Sequence, residues 1–271
     1  MWVTLSLAFA GWLWWYLAGV AGPEIAREKT LEFLTGYLIE KSLSVDNIFV
    51  FQMLFTYFAV LPELQRRTLV YGVLGAIALR IVMILIGAWL IAQFHWIIYV
   101  FGLFLLVTGA KMLFFAGAKP DLEENLVLRW MRGHLALAPS FEGERFWVVR
   151  GGIRTYTPLF LVLVMIAITD VVFAVDSIPA IFAITDDPFI VMTSNIFAVL
   201  GLRALYFVLA GIADRFHLLS YGLALVLMFI GVKMLLIDYF KIPVFLALGV
   251  VAALIVASIA ASLIWRPKRA G

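Results

Sequence analysis

A chain of 271 residues that is 65% hydrophobic and 14% charged, with a mean hydropathy of +1.08, lies far from the soluble range of about 45–50% apolar and about 25% charged. The composition excludes a soluble globular class. The net charge of +3 gives no reason to invoke nucleic acid, because its basic residues fall mostly in loops. The absence of cysteine removes disulfides, thiolate nucleophiles and soft thiolate metal sites together. These facts describe an all-α polytopic membrane protein, one transmembrane domain over 1–271 with the lipid bilayer as its solvent.

Eight apolar segments reach the length of about 20 helical residues that crosses a bilayer core of about 30 Å. They cover roughly 2–21, 31–60, 69–92, 96–115, 158–184, 189–212, 218–237 and 243–265. The first has no basic residues ahead of it and reads as a span, not a cleaved leader. Its Trp12, Trp14 and Trp15 sit too deep for an interfacial belt. The second is too long for a straight span and carries Glu40, Lys41 and Asp46. It is expected to tilt, to break near its polar centre, or both.

Taking alternate connections, one side of the membrane holds Arg66, Arg67, Lys119, Arg129, Arg132, Arg145, Arg150, Arg154, Arg215, Arg266, Lys268 and Arg269. The other holds Arg27, Lys29 and Lys241. Basic residues concentrate on the cytoplasmic face, so both termini and the connection over 116–157 are predicted there. Within that connection, Asp121-Leu-Glu-Glu124 resembles a helix start, Arg129 and Arg132 suit a last turn, and Gly133 can end it. The run Arg145 to Tyr156 reads as two short strands around Gly151-Gly152. A small lid or scaffold is the plain reading, with a docking site for a cytoplasmic partner or regulator as the alternative. Further on, Asp187 and Pro188 look like an N-cap and first helical residue. Asp186 and Asp187 could also form a cation-collecting mouth on the outer side. Lys111 and Lys233 lie near span ends and are expected to snorkel.

The chain contains an internal repeat. Glu40 corresponds to Asp170 and Asp46 to Asp176; Arg80 corresponds approximately to Arg203, Tyr99 to Tyr221, and Gly109-Ala-Lys-Met-Leu113 to Gly231-Val-Lys-Met-Leu235. Repeat 1 covers 31–115 and repeat 2 covers 158–237, with a final span over 243–265. Three spans per copy reverse the second copy's entry into the membrane. Inverted-topology repeats of this kind recur in secondary transporters, with the substrate site at the midplane.

A carboxylate at membrane depth costs about 2.5–3.5 kcal/mol on insertion scales, so the four acids ask for a cation. Two positions six apart on an ideal helix lie about 120° apart around it. Glu40 and Asp46 could therefore converge on one ion only with local unwinding, as could Asp170 and Asp176. Pro179 supplies a cause in the second copy, since it offers no N–H to the Val175 carbonyl. A carboxylate, that carbonyl, and the hydroxyl or amide of Ser44, Asn47, Thr169 or Ser177 would make an oxygen cage for Mg²⁺, Ca²⁺ or Mn²⁺. His95, His134 and His217 lie at span ends, away from any such cage. Two alternatives compete: acids that only neutralise Lys41, Arg80 and Arg203, or an oxyanion site on the two arginines. Asn195, near the start of its span, either lines the pathway or caps backbone groups.

At these residues the chain resembles the TerC/Alx family of integral membrane proteins. The runs that carry the resemblance are Leu31-Glu-Phe-Leu-Thr-Gly-Tyr-Leu-Ile-Glu-Lys-Ser-Leu-Ser-Val-Asp-Asn47 and Thr169-Asp-Val-Val-Phe-Ala-Val-Asp-Ser-Ile-Pro-Ala-Ile-Phe-Ala-Ile-Thr185. Pro188 to Tyr206 and Gly231 to Leu235 extend it over nearly the whole chain. The resemblance implies a LysE-like fold, tellurium resistance and Mn²⁺ export. It also implies Glu40, Asp46, Asn47, Asp170, Asp176 and Ser177 as the metal pathway. Relatives in that family usually have a further apolar span ahead of Trp2, and a glutamate where this chain has Ala167. Three residues before Asp170, position 167 shares its helix face, so the site here would lack one acid.

The expectation is a Mn²⁺ exporter of the bacterial inner membrane, coupled to protons, with Ca²⁺ or Mg²⁺ as alternative ions and no organic cofactor. The competing class is a non-transporting membrane hub for tellurite or metal stress that binds partners through 116–157. No nucleophile–base pair or cofactor motif suggests an enzyme.

Overall fold

The computed structural model describes residues 1–114, 125–209, 218–240 and 242–264, apart from the side chains of Val45, Asp46, Phe49, Arg203, Val208 and Leu209. The expected helix start at Asp121–Glu124, His217, and the loop cations Lys119, Arg215, Lys241, Arg266, Lys268 and Arg269 lie outside the described residues. The elements are α1 (Trp2–Val20), α2 (Pro23–Tyr57), α3 (Pro62–Gln93), α4 (Ile97–Phe114) and α5 (Leu126–His134). They continue with β1 (Trp147–Arg150), β2 (Ile153–Tyr156), α6 (Pro158–Phe182), α7 (Pro188–Leu200), α8 (Leu202–Leu209), α9 (Leu219–Leu235) and α10 (Val244–Ile264). The protein is thus an all-α membrane protein with one small hairpin.

Each of the eight predicted segments contains a helix, the sixth being α7 and α8 in succession. Six are long and apolar enough to cross a membrane. The other two are α2, with its charged residues, and α9, which has 17 residues. Proline at the first helical position opens α2, α3, α6 and α7, where the missing N–H costs nothing and φ is already helical. The Asp187 carboxylate accepts the Phe189 N–H at 3.0 Å, so the predicted cap forms.

The break expected near Glu40–Asp46 does not occur: α2 is one helix of 35 residues. Between Tyr37 and Tyr57 it holds neither glycine nor proline, the residues that make kinks cheap. α6 likewise continues through Pro179 to Phe182. The chain breaks instead at Gly201, between α7 and α8.

The hairpin forms as expected. Gly151 and Gly152 take φ of +57° and +80°, the two positive values that a tight two-residue turn requires, and Trp147 pairs with Tyr156. α5, capped by Asn125, buries Leu128 and Met131 in a core built from α2 and α6 residues such as Phe55, Leu159 and Val162. The connection between α4 and α6 is therefore anchored to the bundle through α5. Trp12, Trp14 and Trp15 point outward from α1.

Helices that correspond between the repeats pack on one another: α2 on α6, α3 on α7, and α4 on α9. The last pair is the closest. A Cβ at Gly231 would stand 2.7 Å from the Gly102 carbonyl oxygen, and one at Gly109 would stand 2.8 Å from the Ala224 carbonyl oxygen. Gly102 and Ala224, like Gly109 and Gly231, are 122 apart, the offset of the repeat. The two contacts are therefore counterparts of each other. Small residues let helix backbones approach where lipid provides no hydrophobic drive. Gly231→Ala should destabilise the protein by about 1–3 kcal/mol through overpacking. Gly249→Ala, with open space around it, should leave thermal unfolding in detergent unchanged.

Candidate functional site

Glu40, Ser44 and Asn47 fall at i, i+4 and i+7 on α2, one face of the helix, and each is at most 1% exposed. Their counterparts Asp170, Ala174 and Ser177 form the same stripe on α6 and are at most 2% exposed. An unbroken helix keeps such a stripe intact, which local unwinding would have destroyed.

Arg80 of α3, 2% exposed, joins the stripes. Its Nε and Nη2 donate to the two oxygens of Asp170 at 3.0 and 2.8 Å, a bidentate fork. Its Nη1 donates to Glu40 Oε1 and, at 2.8 Å, to Asn195 Oδ1. The Asn195 amide in turn donates to Glu40 Oε2 at 3.3 Å. Asn195 thus belongs to this network and does not cap backbone. Four side chains from four helices close a water-excluded network of two carboxylates and one guanidinium.

The helix register fixes what lies beside it. The Thr185 hydroxyl donates to Glu32 at 2.6 Å, and Gly36 lies against Ile181. A step of four along α2 matches four back along α6, so the helices run antiparallel. Carried one turn further, this register brings Ser177 level with Glu40, and about two turns beyond that Asn47 level with Asp170. The levels are about 10 Å apart at 1.5 Å per residue. α3 runs parallel to α6, with Gly72 against Ile166 and Gly87 against Phe182, which sets Arg80 midway between the levels. Ser44 Oγ, Asn47 Oδ1 and Ser177 Oγ are buried and have no hydrogen-bond partner. Groups in that condition cost about 1–3 kcal/mol each.

Asp176 does not join Glu40 and Asp170. Asp176, 100° around α6 from Ser177, is half-buried and faces the Thr108 hydroxyl and Lys111 of α4. The side chains of Asp46 and Arg203 lie outside the described residues. Among the described residues no group of three or more acidic or histidine side chains is arranged to hold a metal ion. Thr169 donates back to the Met165 carbonyl. Pro179 leaves the Val175 carbonyl without its usual N–H, as expected, but does so without bending Asp170 and Asp176 together. Ala167 lies half-buried one turn before Asp170.

Two lysines serve backbone carbonyls. Lys41 donates to Ala198 at 3.1 Å, just before the Gly201 break. Lys233 is buried and donates to Ala183 at 2.8 Å, beyond the end of α6, so it does not snorkel. Sequence reasoning also passed over Glu32, which is 5% exposed and holds Lys29 at 2.8 Å as well as Thr185. Its three-residue spacing from Lys29 was the available signal.

Residues 25–270 match the integral membrane protein TerC family. The chain is 59% identical over 251 residues to the "Putative membrane-bound redox modulator Alx" of Salmonella typhi, covering 93% of this chain and 78% of that protein. It is 56% identical over 256 residues to the protein of the same name in Escherichia coli K12, covering 94% and 80%. An uncharacterized membrane protein of Myxococcus xanthus is 48% identical over 264 residues, covering 97% and 80%. No solved structure matches.

Asn195→Ala would leave Glu40 and Arg80 each short of a buried hydrogen bond, at a cost of about 1–3 kcal/mol. Thr193→Ala removes only a hydroxyl bonded within its own helix. Thermal unfolding in detergent should separate the two variants by several degrees.

Proposed function

The chain belongs to the TerC family of integral membrane proteins, and on that premise we propose that it exports a hard divalent cation, Mn²⁺ foremost, across the bacterial inner membrane in exchange for protons. The observation that carries this reading is that three of the buried oxygens without a hydrogen-bond partner, Ser44 Oγ, Asn47 Oδ1 and Ser177 Oγ, lie on the stripes of α2 and α6 that carry Glu40 and Asp170. Two flank the carboxylates of Glu40 and Asp170, one at each level. Buried polar groups without partners are rare in folded proteins and ask for an occupant. Oxygens from carboxylates, amides and hydroxyls suit Mn²⁺, Mg²⁺ and Ca²⁺.

The cation path in this reading runs from one level to the other, past Glu40, Asn47, Asp170 and Ser177, with Asp46 and Asp176 as entry or exit carboxylates. The antiparallel packing of corresponding helices supports an inverted repeat of three-helix units within eight spans. Alternating access would come from rocking one copy against the other. Both termini and the α5–hairpin connection would face the cytoplasm, following the distribution of loop arginines.

A second reading has an observation of its own. Glu40 and Asp170 are sealed in a dry ion-paired network with Arg80, as a non-transporting hub would have them, and α5 with the hairpin would then be its partner-binding face. The oxygens without partners and the unsealed Asp176 favour transport. A redox role, which the relatives' name suggests, could not run through thiols of this chain, since it has none.

Mn²⁺ flux into proteoliposomes tests the reading. Asn47→Ala and Ser177→Ala should each weaken Mn²⁺ affinity by about tenfold or more, and Asp46→Asn and Asp176→Asn should abolish transport. Retention of wild-type flux and affinity in both aspartate variants would defeat the site assignment.

A further inference from the structure

Every oxygen that Arg80 engages is one a hard cation would take. Its nitrogens hold Glu40 Oε1, both carboxylate oxygens of Asp170 and the Asn195 carbonyl oxygen. These donors come from three helices, α2, α6 and α7, and converge on one buried point. With the guanidinium in place the network carries a formal charge of −1; without it the charge is −2, which a divalent ion neutralises. The side chain belongs to α3, a fourth helix, so it can leave without dismantling the oxygens it holds. Lys41, next to Glu40 in sequence, is committed to the Ala198 carbonyl and cannot take its place.

We infer that Arg80 is a tethered counter-cation, which occupies the carboxylates when the carrier is empty and is displaced when cargo binds. The inference rests on the cation-transport reading and adds a rule to it: guanidinium and cargo exclude each other. Two consequences follow. Apparent affinity is reduced by the fraction of time Arg80 is in place, since a ligand competes only for the binding-competent population. The metal-free carrier, which returns with its exchanged protons on other acids, also keeps Glu40 and Asp170 paired while it reorients. Without Arg80 two bare carboxylates would have to cross the low-dielectric centre, which is costly. Arg80 would therefore slow cargo binding but permit the empty return step.

The test compares wild type, Arg80→Lys and Arg80→Gln in proteoliposomes with Mn²⁺ as the sole probe. Lysine keeps the charge but loses the bidentate fork; glutamine loses both. Mn²⁺ binding should tighten in the order wild type, lysine, glutamine, by about tenfold or more if the competent state of the wild type is populated to about 10%. Net Mn²⁺ export by Arg80→Gln should fall to background, while exchange of radiolabelled for unlabelled Mn²⁺, which needs no empty return, should persist. If Arg80→Gln unfolds when purified without metal, added Mn²⁺ should restore its melting transition, and Arg80→Lys carries the kinetic comparison. Equal losses of exchange and net export in the variants, or unchanged Mn²⁺ affinity, would overturn the counter-cation role while leaving wild-type transport intact. Absence of Mn²⁺ binding and flux in the wild type would instead defeat the transport reading itself.

Discussion

The bundle depends on one buried arginine. Arg80 ties Glu40, Asp170 and Asn195 together, so α2, α3, α6 and α7 meet at a single guanidinium. In hydrocarbon no water can take over a released partner, and breaking a buried pair on one side costs about 3–5 kcal/mol. That constraint explains the stripes on α2 and α6: both helices must stay regular, and their acidic residues must sit where one fork reaches both. It also explains why α3 crosses midway between the two levels.

The α4–α9 contact is the complementary constraint. Where Arg80 joins helices through charge, Gly102, Gly109 and Gly231 join them through close approach of backbones. The first kind of contact can open by rotation of a side chain. The second can only slide or tilt as a unit. A molecule built from both has one seam of close backbones and one link of paired charges.

Much of this was legible in the sequence. Hydrophobic length gave all eight helical segments, and local chemistry gave the Asp187 cap and the Gly151-Gly152 turn. The repeat made Glu40 and Asp170 counterparts, and charge balance raised Lys41, Arg80 and Arg203 together as possible neutralisers, of which Arg80 pairs with both acids. Other features were out of reach for physical reasons. Spacing says which residues share a helix face but not which neighbour that face meets, so Asp176 could not be assigned to Thr108 and Lys111. Proline in a helix announces a lost hydrogen bond, yet whether the helix bends depends on the packing around it, and at Pro179 it continues. Lys233 looked like an interfacial lysine because depth was read from sequence position. Sequence does not show the α6 terminus beside it, with its Ala183 carbonyl.

The unbroken length of α2 has a consequence for how it sits in the membrane. At 1.5 Å per residue its 35 residues extend about 52 Å, against a hydrocarbon thickness of about 30 Å. No ordinary tilt absorbs a surplus of about 20 Å, so part of α2 lies outside the lipid tails. Its charged residues Glu24, Arg27, Glu28 and Lys29 gather at the Pro23 end, and Glu32 follows one turn beyond Lys29 on the way to Glu40.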